Sequence, residues 1–104
     1  MELTNSNDLE KLINENSVLI IEFYSTWCPP CKMVRPLVAE YILKHEDDLI
    51  VSVNTDVFND LAKKYHISTV PTFFCYKDGE LVDSFEGHIE YEDLEEEFNR
   101  LKTR

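Results

Sequence analysis

A chain of 104 residues, 43% of them apolar, is long enough for one hydrophobic core and too short for two, so residues 1–104 are expected to form a single domain needing neither a disulfide framework nor a structural metal. Twenty-one acidic against ten basic residues give a formal net charge of −11, which repels phosphate backbones and anionic lipid; with no local basic patch, neither nucleic-acid nor membrane binding is expected. The opening MELTNSNDLEKL lacks a basic n-region and an apolar h-region, no apolar run reaches membrane-spanning length, and three cysteines are too few for a secreted disulfide scaffold, so a cytoplasmic protein is expected.

Along the chain, Asn7 followed three residues later by Glu10 has the pattern of a capping box, and Leu9, Leu12 and Ile13 recur at helical spacing, which predicts a first helix. VLIIEFY, residues 18–24, is a continuous apolar run rich in β-branched and aromatic types, as in a strand buried on both faces. Val34, Leu37, Val38, Tyr41 and Ile42 fit the template of an amphipathic helix, with Pro36 expected to kink it. LIVSVN, residues 49–54, reads as another strand, and Asp56 is expected to cap a short helix whose apolar stripe is Phe58, Leu61, Ala62 and Tyr65.

PTFFCY (71–76) and LVDSFE (81–86) flank KDGE, whose Asp78-Gly79 pair predicts an antiparallel hairpin. Tyr91, Leu94, Phe98 and Leu101 mark a closing helix, with Asp93, Glu95, Glu96 and Glu97 read as its solvated face. The element order describes an α/β sandwich around a mixed sheet.

Cys28 and Cys31 fall where a central strand gives way to a helix, a usual place for chemistry in α/β folds. Unpaired N–H groups and the positive dipole end of that helix favour a thiolate at Cys28, and Cys31, one turn on, can close a small ring with it. The pattern favours redox exchange over two alternatives. A zinc site would need four ligands, where Cys75 and three scattered histidines complete no set; inert packing would treat the thiols as small apolar groups.

FYSTWCPPCKMVRP followed by ISTVPTFF resembles the thioredoxin family, in which a W-C-G-P-C-K segment and a later cis-proline flank one active site. The resemblance runs over nearly the whole chain and implies the thioredoxin fold, a three-layer α/β/α sandwich with a central mixed β-sheet. It implies Cys28 as nucleophile, Cys31 as resolving thiol, Trp27 as a wall beside the substrate, Pro71 as the cis-proline facing the cysteines, and the backbone of Val70 as a partner for an extended substrate segment. It also implies dithiol–disulfide oxidoreduction on protein substrates without a bound cofactor or metal, with a thioredoxin-reductase-type enzyme as electron source. The protein is expected to act as a monomer.

Four departures from the family pattern carry expectations of their own. Pro29 and Pro30 replace the usual Gly-Pro, stiffening the turn beside the substrate and removing a backbone donor near Cys28; similar W-C-P-P-C centres occur in tryparedoxin-like and nucleoredoxin-like branches. Glu22 stands where the family has a buried aspartate that moves a proton for the resolving thiol. Ser52 occupies the position of a lysine that often neighbours that acid, which predicts a more easily protonated carboxyl for want of a cation. Tyr24 replaces a tryptophan and should keep a wall of the site, and Cys75 is read as core packing. The alternatives are a dedicated electron donor to a peroxidase or other thiol enzyme, and a non-enzymatic docking subunit.

Overall fold

VLIIEFY forms the strand around which the molecule is assembled. In the computed structural model, which describes residues 1–104, it is β1 (Val18–Tyr24), and every residue from Leu19 on is buried. The other elements are α1 (Asp8–Glu15), α2 (Pro29–Lys44), β2 (Ile50–Asn54), α3 (Asn59–Lys64), β3 (Thr72–Lys77), β4 (Glu80–Glu86) and α4 (Tyr91–Thr103). The four strands lie in the order β2-β1-β3-β4, β2 parallel to β1 and the others antiparallel. This is the expected mixed sheet.

Because side chains alternate across a strand, β1 feeds two cores. Leu19, Ile21 and Phe23 pack with Leu9 and Ile13 of α1 and Leu61 of α3. Ile20 packs on the opposite face with Val34, Val38 and Tyr41 of α2 and Leu94, Phe98 and Leu101 of α4. Glu22 and Tyr24 share the parity of Ile20 and so lie on the α2 face. The result is three layers with both sheet faces covered, as a central strand buried on both faces requires. No helix is long and apolar enough to cross a membrane.

The hairpin turn carries positive φ at both central residues, Asp78 (51°) and Gly79 (82°), the geometry for which an Asp-Gly pair is selected. Tyr41 ties α2 to the loop after it by donating to Asp48 Oδ2 at 2.6 Å, and Lys102 of α4 pairs with the same carboxylate. Residues 1–3 lie along β2: Ser52 N–H donates to Met1 O (2.8 Å) and Leu3 N–H to Ser52 O (2.9 Å).

Three local expectations are corrected. No capping box forms at α1: Asn7 already has helical backbone angles and makes no side-chain cap, because the turn begins earlier, at Asn5, whose Oδ1 accepts from Asn7 N–H at 2.9 Å. Asp56 does not cap α3, whose cap position is Phe58; its carboxylate is drawn instead to donors across the sheet end. Glu97 is not on the solvated face of α4. It is 4% exposed, because it falls three residues after Leu94 in the same stripe as Phe98 and Leu101, and it is held by Arg100 at 2.9 Å.

Candidate active site

β1 ends at Tyr24, three residues cross the top of the sheet, and Cys28 takes the cap position of α2 in extended backbone (φ −81°, ψ 118°). Its sulfur does what a serine or aspartate oxygen does at most helix starts: it accepts from the N–H of Cys31 at 3.3 Å. Pro29 and Pro30 fill the first two helical positions, where a missing N–H costs no helical hydrogen bond, so the Pro-Pro pair starts α2 rather than breaking it. Cys31 N–H is thus the helix donor that reaches the sulfur of Cys28.

On its other side Cys28 Sγ donates to the carbonyl of Val70 at 3.3 Å. The Val70–Pro71 bond is cis, as the resemblance implies, and Pro71 is buried at the head of β3. Cys28, Trp27, Pro29, Pro30 and Val70 line one side of an open groove of about 500 Å³ that continues past Ile67 and Thr69. Cys28 is the thiol on that groove; Cys31 is wholly buried behind it, packed with Tyr24. Both thiols are free.

Trp27 is 70% exposed, and a flat ring so exposed needs something to orient it. Asp56 supplies that: it accepts from Trp27 Nε1 (3.1 Å), Ser25 Oγ (2.9 Å), Thr26 N–H (3.2 Å) and Thr26 Oγ1 (3.1 Å). These donors, that of Ser25 foremost, hold the Asp56 carboxyl below the usual carboxylate range. Asp56→Ala is expected to raise KM for a protein disulfide several-fold with little change in kcat, accompanied by a shift in Trp27 emission. Unchanged KM and emission would show that Trp27 is held by other contacts.

Beneath the cysteines, Glu22 is wholly buried between Ser52 on β2 and Phe73 on β3, on the face that α2 covers. Ser52 Oγ donates to Glu22 Oε1 at 2.8 Å. Burial pushes the Glu22 carboxyl up from its usual range, against the opposing influences of the Ser52 hydroxyl and the Arg35 guanidinium. The cation judged missing from the sequence is therefore present: it comes from α2, not from the neighbouring strand. Its spacing, four residues after Cys31, was the available signal.

Arg35 lies over the Tyr24 ring at 3.6 Å and reaches Glu2 Oε1 at 3.4 Å, while the Tyr24 hydroxyl donates to Glu2 Oε2 at 2.6 Å. Tyr24 thus walls the site as expected, with its hydroxyl turned to Glu2 and pushed up to about 12, by burial first and then by Glu2. Burial also pushes the Cys31 thiol up to about 12, helped by its hydrogen bond to Cys28 and by the charge of Glu22. A sulfur that lines a groove, a second that needs a base, and a carboxylate on the same sheet face form a set suited to two-step thiol exchange. Cys75 lies elsewhere, buried beside Glu97 on the α4 face with its thiol well above the usual range through burial, which fits packing.

Comparisons with known proteins agree with this arrangement. The family model described as Thioredoxin matches residues 1–100. The chain is 38% identical over 86 residues to "Thioredoxin-3, mitochondrial" of Saccharomyces cerevisiae, covering 83% of this chain and 68% of that protein. It is 36% identical over 88 residues to "Thioredoxin-1" of Caenorhabditis elegans, covering 83% and 76%. The crystal structure of oxidized mitochondrial thioredoxin 3 from S. cerevisiae superimposes with a TM-score of 0.84 at 36% identity, over 97% of this chain and 94% of that one.

Proposed function

Because the chain belongs to the thioredoxin family, we propose that its dithiol–disulfide oxidoreduction runs through Cys28 as attacking sulfur and Cys31 as resolving sulfur, in the direction that reduces disulfides of protein substrates. The Cys28 thiolate attacks one sulfur of the substrate disulfide; that bond breaks, a mixed disulfide forms, and the other substrate sulfur leaves as a thiolate. Cys31, its proton passed to Glu22, then attacks Cys28 Sγ and expels the second substrate sulfur. Two electrons have moved to the substrate, and the Cys28–Cys31 disulfide left behind is reduced again by a dithiol enzyme of thioredoxin-reductase type.

The observation that carries this reading is the position of Cys28 Sγ, open to the groove and within 3.3 Å of both the Val70 carbonyl and the Cys31 amide. An extended substrate segment laid along Val70 would bring its sulfur to Cys28 by strand-like pairing, with Trp27, Pro29 and Pro30 as apolar walls. Stiff prolines lose little freedom when a substrate docks. A docking-only role would leave the thiol pair, the groove and the buried acid without a use.

A reductive direction requires a reducing compartment, of which the cytoplasm is the simplest case; the yeast relative is a mitochondrial protein. The test is the equilibrium potential of the Cys28–Cys31 pair in defined glutathione mixtures, with Cys75→Ser to keep the readout clean. We expect a value near the thioredoxin figure of about −270 mV. A value near the disulfide isomerase figure of about −180 mV would reverse the direction and assign an oxidant or isomerase.

A further inference from the structure

Two buried polar atoms behind the cysteines have no hydrogen-bond partner in the chain, and they carry opposite charge: Glu22 Oε2 and Arg35 Nη1. Buried groups of this kind are normally satisfied, and two of opposite sign on the facing surfaces of β1 and α2 can satisfy each other through one shared water. Arg35 is free to serve Glu22 because its outer side is already fixed. Its plane stacks on Tyr24 at 3.6 Å, and its Nη2 reaches Glu2, which the pairing of residues 1–3 with β2 holds in place. The guanidinium thus presents one nitrogen outward to Glu2 and another inward.

We propose that Arg35 is the positioning residue that keeps Glu22 ionised for its exchange with Cys31, so that the pH at which resolution begins is set from α2. The proposal rests on the proton-carrying role given to Glu22 above. The groups facing Glu22 are few. They are Ser52 from β2, apolar Phe73 from β3, Arg35 and Cys31 from α2, Glu2 and the Met1 amino group from the first segment, and Tyr24 on its own strand. Ser52 is neutral and Glu2 opposes ionisation, so Arg35 is the strongest cationic influence on the carboxylate, ahead of the Met1 amino group.

The experiment has two readouts on the same variants: the titration of the Glu22 side-chain carboxyl by carbon NMR in the reduced protein, and the pH dependence of mixed-disulfide resolution in single turnovers. Arg35→Gln is expected to move the Glu22 titration to higher pH by about one unit or more, with the acid limb of resolution following, so that a rate read on that limb falls about tenfold. Arg35→Lys should restore most of both. Lys32→Gln, which removes an exposed charge from the same helix, should move neither.

An unmoved titration in Arg35→Gln would overturn the proposal while leaving the role of Glu22 standing. A titration that moves without the acid limb would remove Glu22 from the proton path, and the proposal with it. Should Arg35→Gln not fold, a Glu22 titration in Arg35→Lys that departs from wild type by as much as the shift expected of Arg35→Gln would overturn the proposal, because the charge is retained.

Discussion

Cys31→Ser is expected to turn the protein into a trap: incubated with a disulfide-bonded protein it accumulates a mixed disulfide through Cys28, while turnover falls to the uncatalysed background. Cys28→Ser is expected to lose turnover as completely and to form no adduct. The asymmetry follows from access. Cys28 Sγ lines the groove and can be reached by an incoming sulfur, whereas Cys31 is wholly buried, with its thiol pushed up to about 12. A buried, protonated thiol is a poor first nucleophile and an adequate second one, since the sulfur it must then attack is one helical turn away.

Cys75 does not blur the result, because a wholly buried thiol far above its usual range offers neither access nor thiolate. Intact mass after reaction under non-reducing conditions reads both variants. An adduct on Cys28→Ser equal to that on Cys31→Ser would exchange the roles of the two sulfurs. No adduct on either would return the chain to the docking reading.

What could be read beforehand was whatever the chain encodes locally. β1 was legible from seven residues with one polar interruption, the hairpin from Asp78-Gly79, and the thiol pair from its place between a strand and a helix. The cis bond at Pro71 was legible only by resemblance, since a proline opening a strand is ordinarily trans. Residues whose roles depend on what folds against them were misread or missed. Asp56 has the composition of a helix cap, yet several donors from Ser25, Thr26 and Trp27, thirty residues away in sequence, outcompete the start of α3. Glu97 looked like one more acid in an acidic run, although its spacing from Leu94 already put it in the apolar stripe. Arg35 was not singled out at all, because the sequence does not state which face of α2 lies over Glu22. The register Glu22↔Ser52, in turn, was anticipated by resemblance, and only the cation's source differed.

Glu22→Gln should make the protein slower and more stable at once. The amide keeps the shape and the contact with Ser52 but cannot accept the proton of Cys31, so resolution of the mixed disulfide is expected to slow by about a hundredfold or more, in the range that general acid–base groups contribute. In the wild type that step should fall away as pH drops through the titration of Glu22. In Glu22→Gln this limb should vanish, leaving only the dependence on Cys31 itself at high pH. The stability change has the opposite sign. Burial raises the folded-state pKa of Glu22 above its unfolded value. The wild type therefore keeps its full stability from this group below the ordinary glutamate value of about 4.3 and loses it progressively as pH rises through the folded value. At neutral pH the folded protein carries a buried carboxylate only partly compensated by Ser52 and Arg35. Its neutral replacement is expected to gain stability there, by about 1.4 kcal/mol for each unit by which the folded value of Glu22 exceeds the unfolded one. Denaturant midpoints at pH 8 and pH 4 separate this from a general packing effect: the gain should be present at the higher pH and absent at the lower. A gain equal at both would mean that Glu22 titrates alike in the folded and unfolded chain, so that the gain comes from packing and not from a buried charge.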